Sequence, residues 1–134
     1  MGEYFNKDEK KVMISNGFFD TTKAHVELSG GFQPVEFSFA SIYDDFPIEL
    51  VGLKNPFRGG LDIEETEKML IENGNDVKMI LITLTNNSRA AQPVSMKNMK
   101  EVKLLCQKYK KPFWIDASRI NENAAFIKLY EERY

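Results

Sequence analysis

Two apolar runs, "VKMILITLT" at 77–85 and "PFWID" at 112–116, flank a stretch whose apolar residues recur at helical spacing, and this succession constrains the fold more than any other feature. The first run is apolar at nearly every position and rich in β-branched residues, the pattern of a strand covered on both faces of a sheet. "PFWID" reads as the next buried strand. Between them, Ser95 is placed to cap a helix whose Met99, Val102, Leu105, Cys106 and Tyr109 form one stripe. Strand, helix and strand over 77–116 make a βαβ unit, so the two strands should be parallel and the crossover right-handed.

The rest of the chain continues the alternation. "KVMIS" (11–15) reads as a short strand. It is followed by "DTTKAHVELSGG", a helix capped by Asp20 or Thr21 and stopped by Gly30 and Gly31. "PVEFSFA" (34–40) alternates as a strand with one wet face does. Residues 41–61 are irregular, punctuated by Pro47, Pro56, Gly59 and Gly60. "LDIEETEKMLIENG" then offers Asp62 as N-cap with Glu65 three residues on, apolar Ile63, Met69 and Leu70, and a stop at Asn73 and Gly74. "NENAAFIKLYEERY" predicts a last helix with Ala124, Ile127 and Tyr130 inward. The sum is one α/β domain with a mostly parallel sheet and flanking helices.

At 134 residues the chain has the size of one ordinary domain, and 43% hydrophobic residues with a net charge of -2 describe a globular protein without a basic excess. No nucleic-acid partner is expected. Lys97, Lys100, Lys103, Lys108, Lys110 and Lys111 cluster, but on the amphipathic helix, where they read as a solvated outer face. The single Cys106 lies among apolar helix positions and reads as packed and inert in a reducing compartment. The N-terminal "MGEYFNKDEKK" has no apolar core for a signal peptide, and "MILITL" is far below the about 20 residues of a membrane span. A cytoplasmic location is the expectation.

Both strands of the βαβ unit end in polar residues, Asn86 and Asn87 on one and Asp116 on the other. Ligands of open α/β sheets bind beyond the carboxyl ends of the strands, so an amide and a carboxylate would meet at one pocket mouth. Asp after a strand is equally a common helix cap, and "NNS" a common turn. A carboxylate at the end of "FWI" is partly desolvated, however, and calls for a cation or strong donor. Arg119 is the nearest candidate, and a protonated heterocycle is another.

Other chemistries fit worse. The only histidine, His25, lacks partners at metal-ligand spacing, so no metal site is expected. There is no dinucleotide fingerprint or phosphate loop, and Gly30–Gly31 and Gly59–Gly60 read as a helix stop and a turn. Ser88, Ser95 and Ser118 lack a nucleophile-elbow context.

Three blocks, "SNGFFDTTKAH" (15–25), "TNNSRAAQPVSMKNMKEV" (85–102) and "IDASRINENAAFIK" (115–128), resemble the β-eliminating lyases that use pyridoxal phosphate, tryptophanase and tyrosine phenol-lyase. The resemblance runs from about residue 12 to the end and corresponds to roughly the middle quarter of a family member. It implies a part of the large domain of the aspartate-aminotransferase-like fold (fold type I). It implies that Phe19 stacks on the cofactor ring, that Asn87 donates to its phenolate oxygen and touches substrate, that Asp116 pairs with the ring nitrogen, and that Arg119 lies near the phenolate oxygen. Asp20 after the stacking Phe is similar to tryptophanases, where tyrosine phenol-lyases carry Thr, and places Asp20 at the substrate. The implied reaction yields indole, pyruvate and ammonia from tryptophan.

The same resemblance sets the Schiff-base lysine in a Ser-x-Lys-Lys segment past Tyr134 and a phosphate-gripping Gln-Gly-Arg loop ahead of Met1, with potassium ligands and the arginine for the substrate carboxylate also elsewhere. No catalytic residue is then expected within the chain, which alone would not be a competent lyase. A non-catalytic α/β binding module and a tyrosine phenol-lyase-like fragment are the alternatives. Uncovered apolar faces would favour self-association or assembly with remaining lyase segments. Two departures from the family stand out. Arg89, Ala90 and Ala91 replace Ala-Gly-Gly, which costs stability if a glycine there supplied a positive φ. Ala125 replaces a Tyr.

Overall fold

The computed structural model describes residues 10–38 and 56–132. The readings of residues 1–9, of Phe39 and Ala40, of the irregular stretch through residue 55 and of the last two residues lie outside them. The described elements alternate as β1 (Lys11–Ser15), α1 (Asp20–Gly30), β2 (Phe32–Glu36), α2 (Ile63–Asn73), β3 (Val77–Thr83), α3 (Met96–Lys108), β4 (Phe113–Asp116) and α4 (Ile120–Tyr130). The strands form one sheet in the order β2-β1-β3-β4, and every pair is parallel. The chain is thus an α/β fold with the parallel sheet expected of a fold type I piece. β3 and β4 pair directly and in parallel, as the βαβ reading of 77–116 expects.

Period-two alternation sorts the strand residues onto two faces. On one face Val12, Ile14, Ile80 and Ile82 pack with Leu70 of α2 and Val102, Leu105 and Cys106 of α3. On the other face Met13, Met79 and Leu81 pack with Phe18, Phe32 and Val26 of α1. Burial pushes the Cys106 thiol up to about 11, so it packs as an inert apolar group.

The helix ends show which local signals acted. Asp62 accepts from the Glu65 N–H at 3.1 Å and Ser95 from the Asn98 N–H at 3.0 Å, as expected. The first helix differs: its N-cap is Phe19, without a side-chain cap bond, and Asp20 is the first helical residue. Its carboxylate reaches across to the Ser88 hydroxyl at 3.3 Å instead. The helix also runs through Gly30 and stops at Gly31, which adopts φ 60°, a conformation cheap only for glycine.

β2 begins and ends earlier than its alternation suggests, because pairing with β1 sets Lys11 against Phe32 and Ser15 against Glu36. Pro34 is tolerated there since β2 is an edge strand. In α4 the inward residues are Asn123, Phe126 and Ile127, whereas Ala124 and Tyr130 are exposed. Asn123 sets that rotation by bonding both the N–H and the C=O of Val94, at 2.8 and 2.9 Å, and Phe126 meets Phe57 edge to face.

The larger correction concerns β4. It was expected to be buried, yet Trp114 is 48% and Ile115 44% exposed. Among the described strands β4 lies at the sheet edge, paired with β3 alone.

The lysine cluster is a solvated face, as expected, with specific anchors. Lys108 donates to Glu67 at 2.7 Å and Lys111 to the Gly74 carbonyl at 2.6 Å. The bonds from Lys108 and Tyr109 hold the Glu67 carboxyl below its ordinary range, and the Glu67 bond holds Lys108 above its own. Desolvation, with Lys78 adding repulsion, lowers Lys111. None of the described helices is long and apolar enough to cross a membrane.

Candidate ligand crevice at the carboxyl ends of the strands

The candidate site comprises the segments that leave β1, β3 and β4, three neighbouring strands whose carboxyl ends point the same way. At the end of β1, Asn16 is 2% exposed and acts as a clamp. Its Nδ2 donates to the Thr83 carbonyl at 2.9 Å and the Gly59 carbonyl at 2.6 Å, and its Oδ1 accepts from the Thr83 N–H at 2.8 Å. The turn continues through Phe18, whose N–H donates to Glu36 at 2.9 Å, and leaves Phe19 39% exposed at the start of α1.

Gly59 contributes to the same wall by its lack of a side chain. A Cβ there would stand 2.1 Å from the Gln92 carbonyl oxygen, and its N–H donates to Pro93 at 2.9 Å. Gly59 is therefore a point of close backbone approach, and a Cβ on Gly60 would stand 2.8 Å from the Asn98 side chain.

Beyond β3 the chain folds into a tight loop. Asn86 is 3% exposed, accepts from the Ser88 N–H at 3.0 Å and forms an antiparallel bridge with Gln92. Asn87 opens a short 3-10 turn and is exposed. Ala90 and Ala91, where the resembled family carries glycine, hold φ values of 53° and 52°. The departure thus falls on two left-handed positions, each unfavourable for alanine by about 1–2 kcal/mol.

At the end of β4, Asp116 pairs in register with Thr83. Its Oδ1 accepts from the N–H of Ser118 at 3.1 Å and from its hydroxyl at 2.6 Å. The expectation that Arg119 answers this carboxylate is corrected by the geometry. Arg119 donates to the Thr85 carbonyl at 3.3 Å and to Asn87 Oδ1, bridging the β4 and β3 loops. Nor does Asp116 cap the following helix, whose N-cap is Arg119. It closes the 116–118 turn through Oδ1, and neither Ser118 bond uses Oδ2.

The predicted residues are therefore brought to one end of the sheet. Arg119 and Asn87 are bonded, Asp20 accepts from the hydroxyl of Ser88, the residue after Asn87, and Phe19 adjoins Asp20. With Asn87 Oδ1 taken by a guanidinium, its Nδ2 is left as the outward donor. Lys128 and Ala125 are exposed on α4.

Sequence reasoning missed the buried amides. Asn98 exchanges bonds with both the N–H and the C=O of Leu61 at 2.9 Å, and Asn123 does the same with Val94. Each stands four residues before a buried apolar residue, Val102 or Ile127, so each is a polar residue on an apolar stripe. That was the available signal. Asn16, Asn98 and Asn123 also fall one in each of the three blocks that carry the resemblance. Ser118, set aside as a nucleophile, proves to be the partner of Asp116.

Comparison with known proteins identifies the family. The family model described as beta-eliminating lyase matches residues 2–133. A protein of Trichomonas vaginalis named "Probable beta-eliminating lyase" is 43% identical over 126 residues, covering 92% of this chain and 25% of its own length. The tryptophanase of Haemophilus influenzae is 36% identical over 126 residues, covering 93% and 25%. The tryptophanase of Hyphomonas neptunium is 36% identical over 124 residues, covering 90% and 25%. The chain spans about a quarter of the length of these relatives. With a family match over nearly its whole length, this chain belongs to the beta-eliminating lyase family.

Proposed function

We propose that the crevice is the ring-binding part of a pyridoxal phosphate site serving a carbon-carbon lyase, with tryptophan as the substrate and indole, pyruvate and ammonia as products. The observation that carries this reading is the Arg119 bridge to Asn87, which ties the loop that follows Asp116 to the loop bearing the amide. The donor set suits a flat cationic heterocycle. Asp116 has one oxygen committed to Ser118 and the other outside those bonds, Asn87 keeps its amide N–H groups, and Phe19 exposes its ring. Two buried polar atoms, Thr83 Oγ1 and Asn86 Nδ2, have no hydrogen-bond partner among the described residues at the same strand end.

Bound there, pyridoxal phosphate supplies an electron-accepting ring for loss of a substrate proton. Asp116 holds a proton on the ring nitrogen, because a carboxylate beside a pyridine favours its charged form. Phe19 offers a stacking face, and Asn87 donates to the phenolate oxygen and the substrate carboxylate, with Arg119 orienting it and lying near that oxygen. Asp20, fixed by Ser88, faces the substrate side. The 134 residues are read as a binding part and not a complete lyase, since they correspond to about a quarter of the relatives. Assembly with further lyase segments or a second copy belongs to this reading, as do a cytoplasmic location and potassium bound by residues elsewhere.

A titration of the chain with pyridoxamine phosphate, which does not condense with lysines, tests it. The only tryptophan, Trp114, lies two residues before Asp116 and is half exposed, so its emission reports binding. Saturable quenching that is lost in Asp116→Ala and weakened in Phe19→Ala is expected. Unchanged titration of Asp116→Ala, or none for the parent chain, overturns the assignment.

A second reading, a non-catalytic binding module on the same fold, is favoured by Ala90 and Ala91. Two alanines in left-handed conformation flank the loop that carries Asn87 and disfavour its folded geometry. No binding of pyridoxamine phosphate by a cooperatively folded chain is the outcome that would select it.

A further inference from the structure

We infer that Thr83 is a positioning residue for Asp116, its hydroxyl donating to the carboxylate oxygen that Ser118 leaves open once a cationic ring is bound. The inference rests on the reading of Asp116 given above and extends it to a residue that neither the motif blocks nor the strand pattern marks out.

Thr83 sits directly opposite Asp116 on the neighbouring parallel strand. Paired residues on adjacent strands share a face, and strands are about 4.8 Å apart, so the two side chains are neighbours above the sheet. The face is the one lined by Met79, Leu81 and Phe18, since Thr83 continues the odd-numbered positions of β3.

The backbone of Thr83 is held from both sides. Asn16 takes its N–H and its C=O, and the Asp116 carbonyl accepts from the next residue, Leu84, at 3.1 Å. What remains uncommitted is the hydroxyl, which is buried and has no partner among the described residues. Valine fills the same volume without that cost, so packing alone gives no reason for a hydroxyl here.

A ligand supplies one. Asp116 Oδ1 already takes two donors from Ser118, so a ring N–H must address Oδ2. Thr83, directly opposite on β3, carries the uncommitted hydroxyl that we assign to that oxygen too. The carboxylate is then held from two strands and cannot swing away from the ring, which raises affinity by preorganisation. Charge-assisted hydrogen bonds of this kind are the strong ones.

The test uses the whole chain, pyridoxamine phosphate as probe and Trp114 emission as readout. Thr83→Val should bind about tenfold more weakly, as expected for one bond to a charged group. Its thermal midpoint should equal or exceed the parent's, because an unsatisfied hydroxyl has gone. Thr83→Ser should bind within about twofold of the parent, since it restores the donor. In an Asp116→Asn background, Thr83→Val should add little further weakening, the signature of coupled groups. If the parent binds the probe and Thr83→Val binds equally well, or Thr83→Ser fails to restore binding, the role of Thr83 falls while the reading of Asp116 stands. A parent chain that binds no probe removes both.

Discussion

β3 and β4 are adjacent parallel strands of comparable apolar sequence, yet only β3 is buried along its length. Ile80 and Ile82 are 0% exposed, between β1, β4 and two helices, whereas Ile115 is 44% exposed on the outermost strand. Apolar character says that a segment can be buried. Whether it is buried depends on what lies beside it, and among the described strands β4 has a neighbour on one side only. The two strands share one property all the same: each ends in polar groups at the same end of the sheet, and β3 fixes where the end of β4 stands.

Truncation should separate the two strands most sharply. Ile80→Ala removes a fully enclosed side chain and leaves a cavity, so we expect a loss of about 2–5 kcal/mol in urea unfolding. Ile115→Ala removes a half-exposed one and should cost under about 1.5 kcal/mol. Equal losses would mean that β4 is covered in solution, as self-association would cover it, and the effect would then depend on protein concentration.

The polar clamps come next in size. Asn98→Ala strips the partners from the N–H and C=O of Leu61, two buried backbone groups, and should cost about 2–4 kcal/mol by the same measurement. Hydrogen exchange should show Leu61 newly unprotected while the amides of β4 keep their rates. Exchange rising in β4 as well would show that the clamp and the edge unfold together.

The smallest effect has the opposite sign. Ala90→Gly and Ala91→Gly relieve left-handed alanines in the loop beyond β3 and should each stabilise by about 0.5–1 kcal/mol after the entropy of glycine is counted. Relief should also tighten pyridoxamine phosphate binding, since the loop carries Asn87. A loss of stability would mean that the φ values of this loop differ from those described.

Much of this was legible in the residues. The caps at Asp62 and Ser95, the stripe on α3 and the parallel pairing of β3 with β4 follow from spacing and local chemistry that act within a few residues. The placement of Asn87 and Asp116 at one strand end followed from the βαβ rule. The partner of Asp116 did not, because Ser118 and Arg119 lie at similar sequence distance and only the turn geometry selects Ser118. Asn16, Asn98 and Asn123 were illegible as clamps because their partners lie 29 to 67 residues away.

By itself the sequence determined the alternation of strands and helices, the parallel sense of β3 and β4, and the family, since these rest on periodicity and on motifs read in order. Tertiary structure alone decided the exposure of β4, the rotation of α4 about Asn123, the hydrogen bond that joins Arg119 to Asn87, and the buried hydroxyl of Thr83 beside Asp116. The division has one physical reason. Backbone propensity and capping are short-range, whereas burial and hydrogen-bond partnership are properties of the space around a residue, which exists only once distant segments have met.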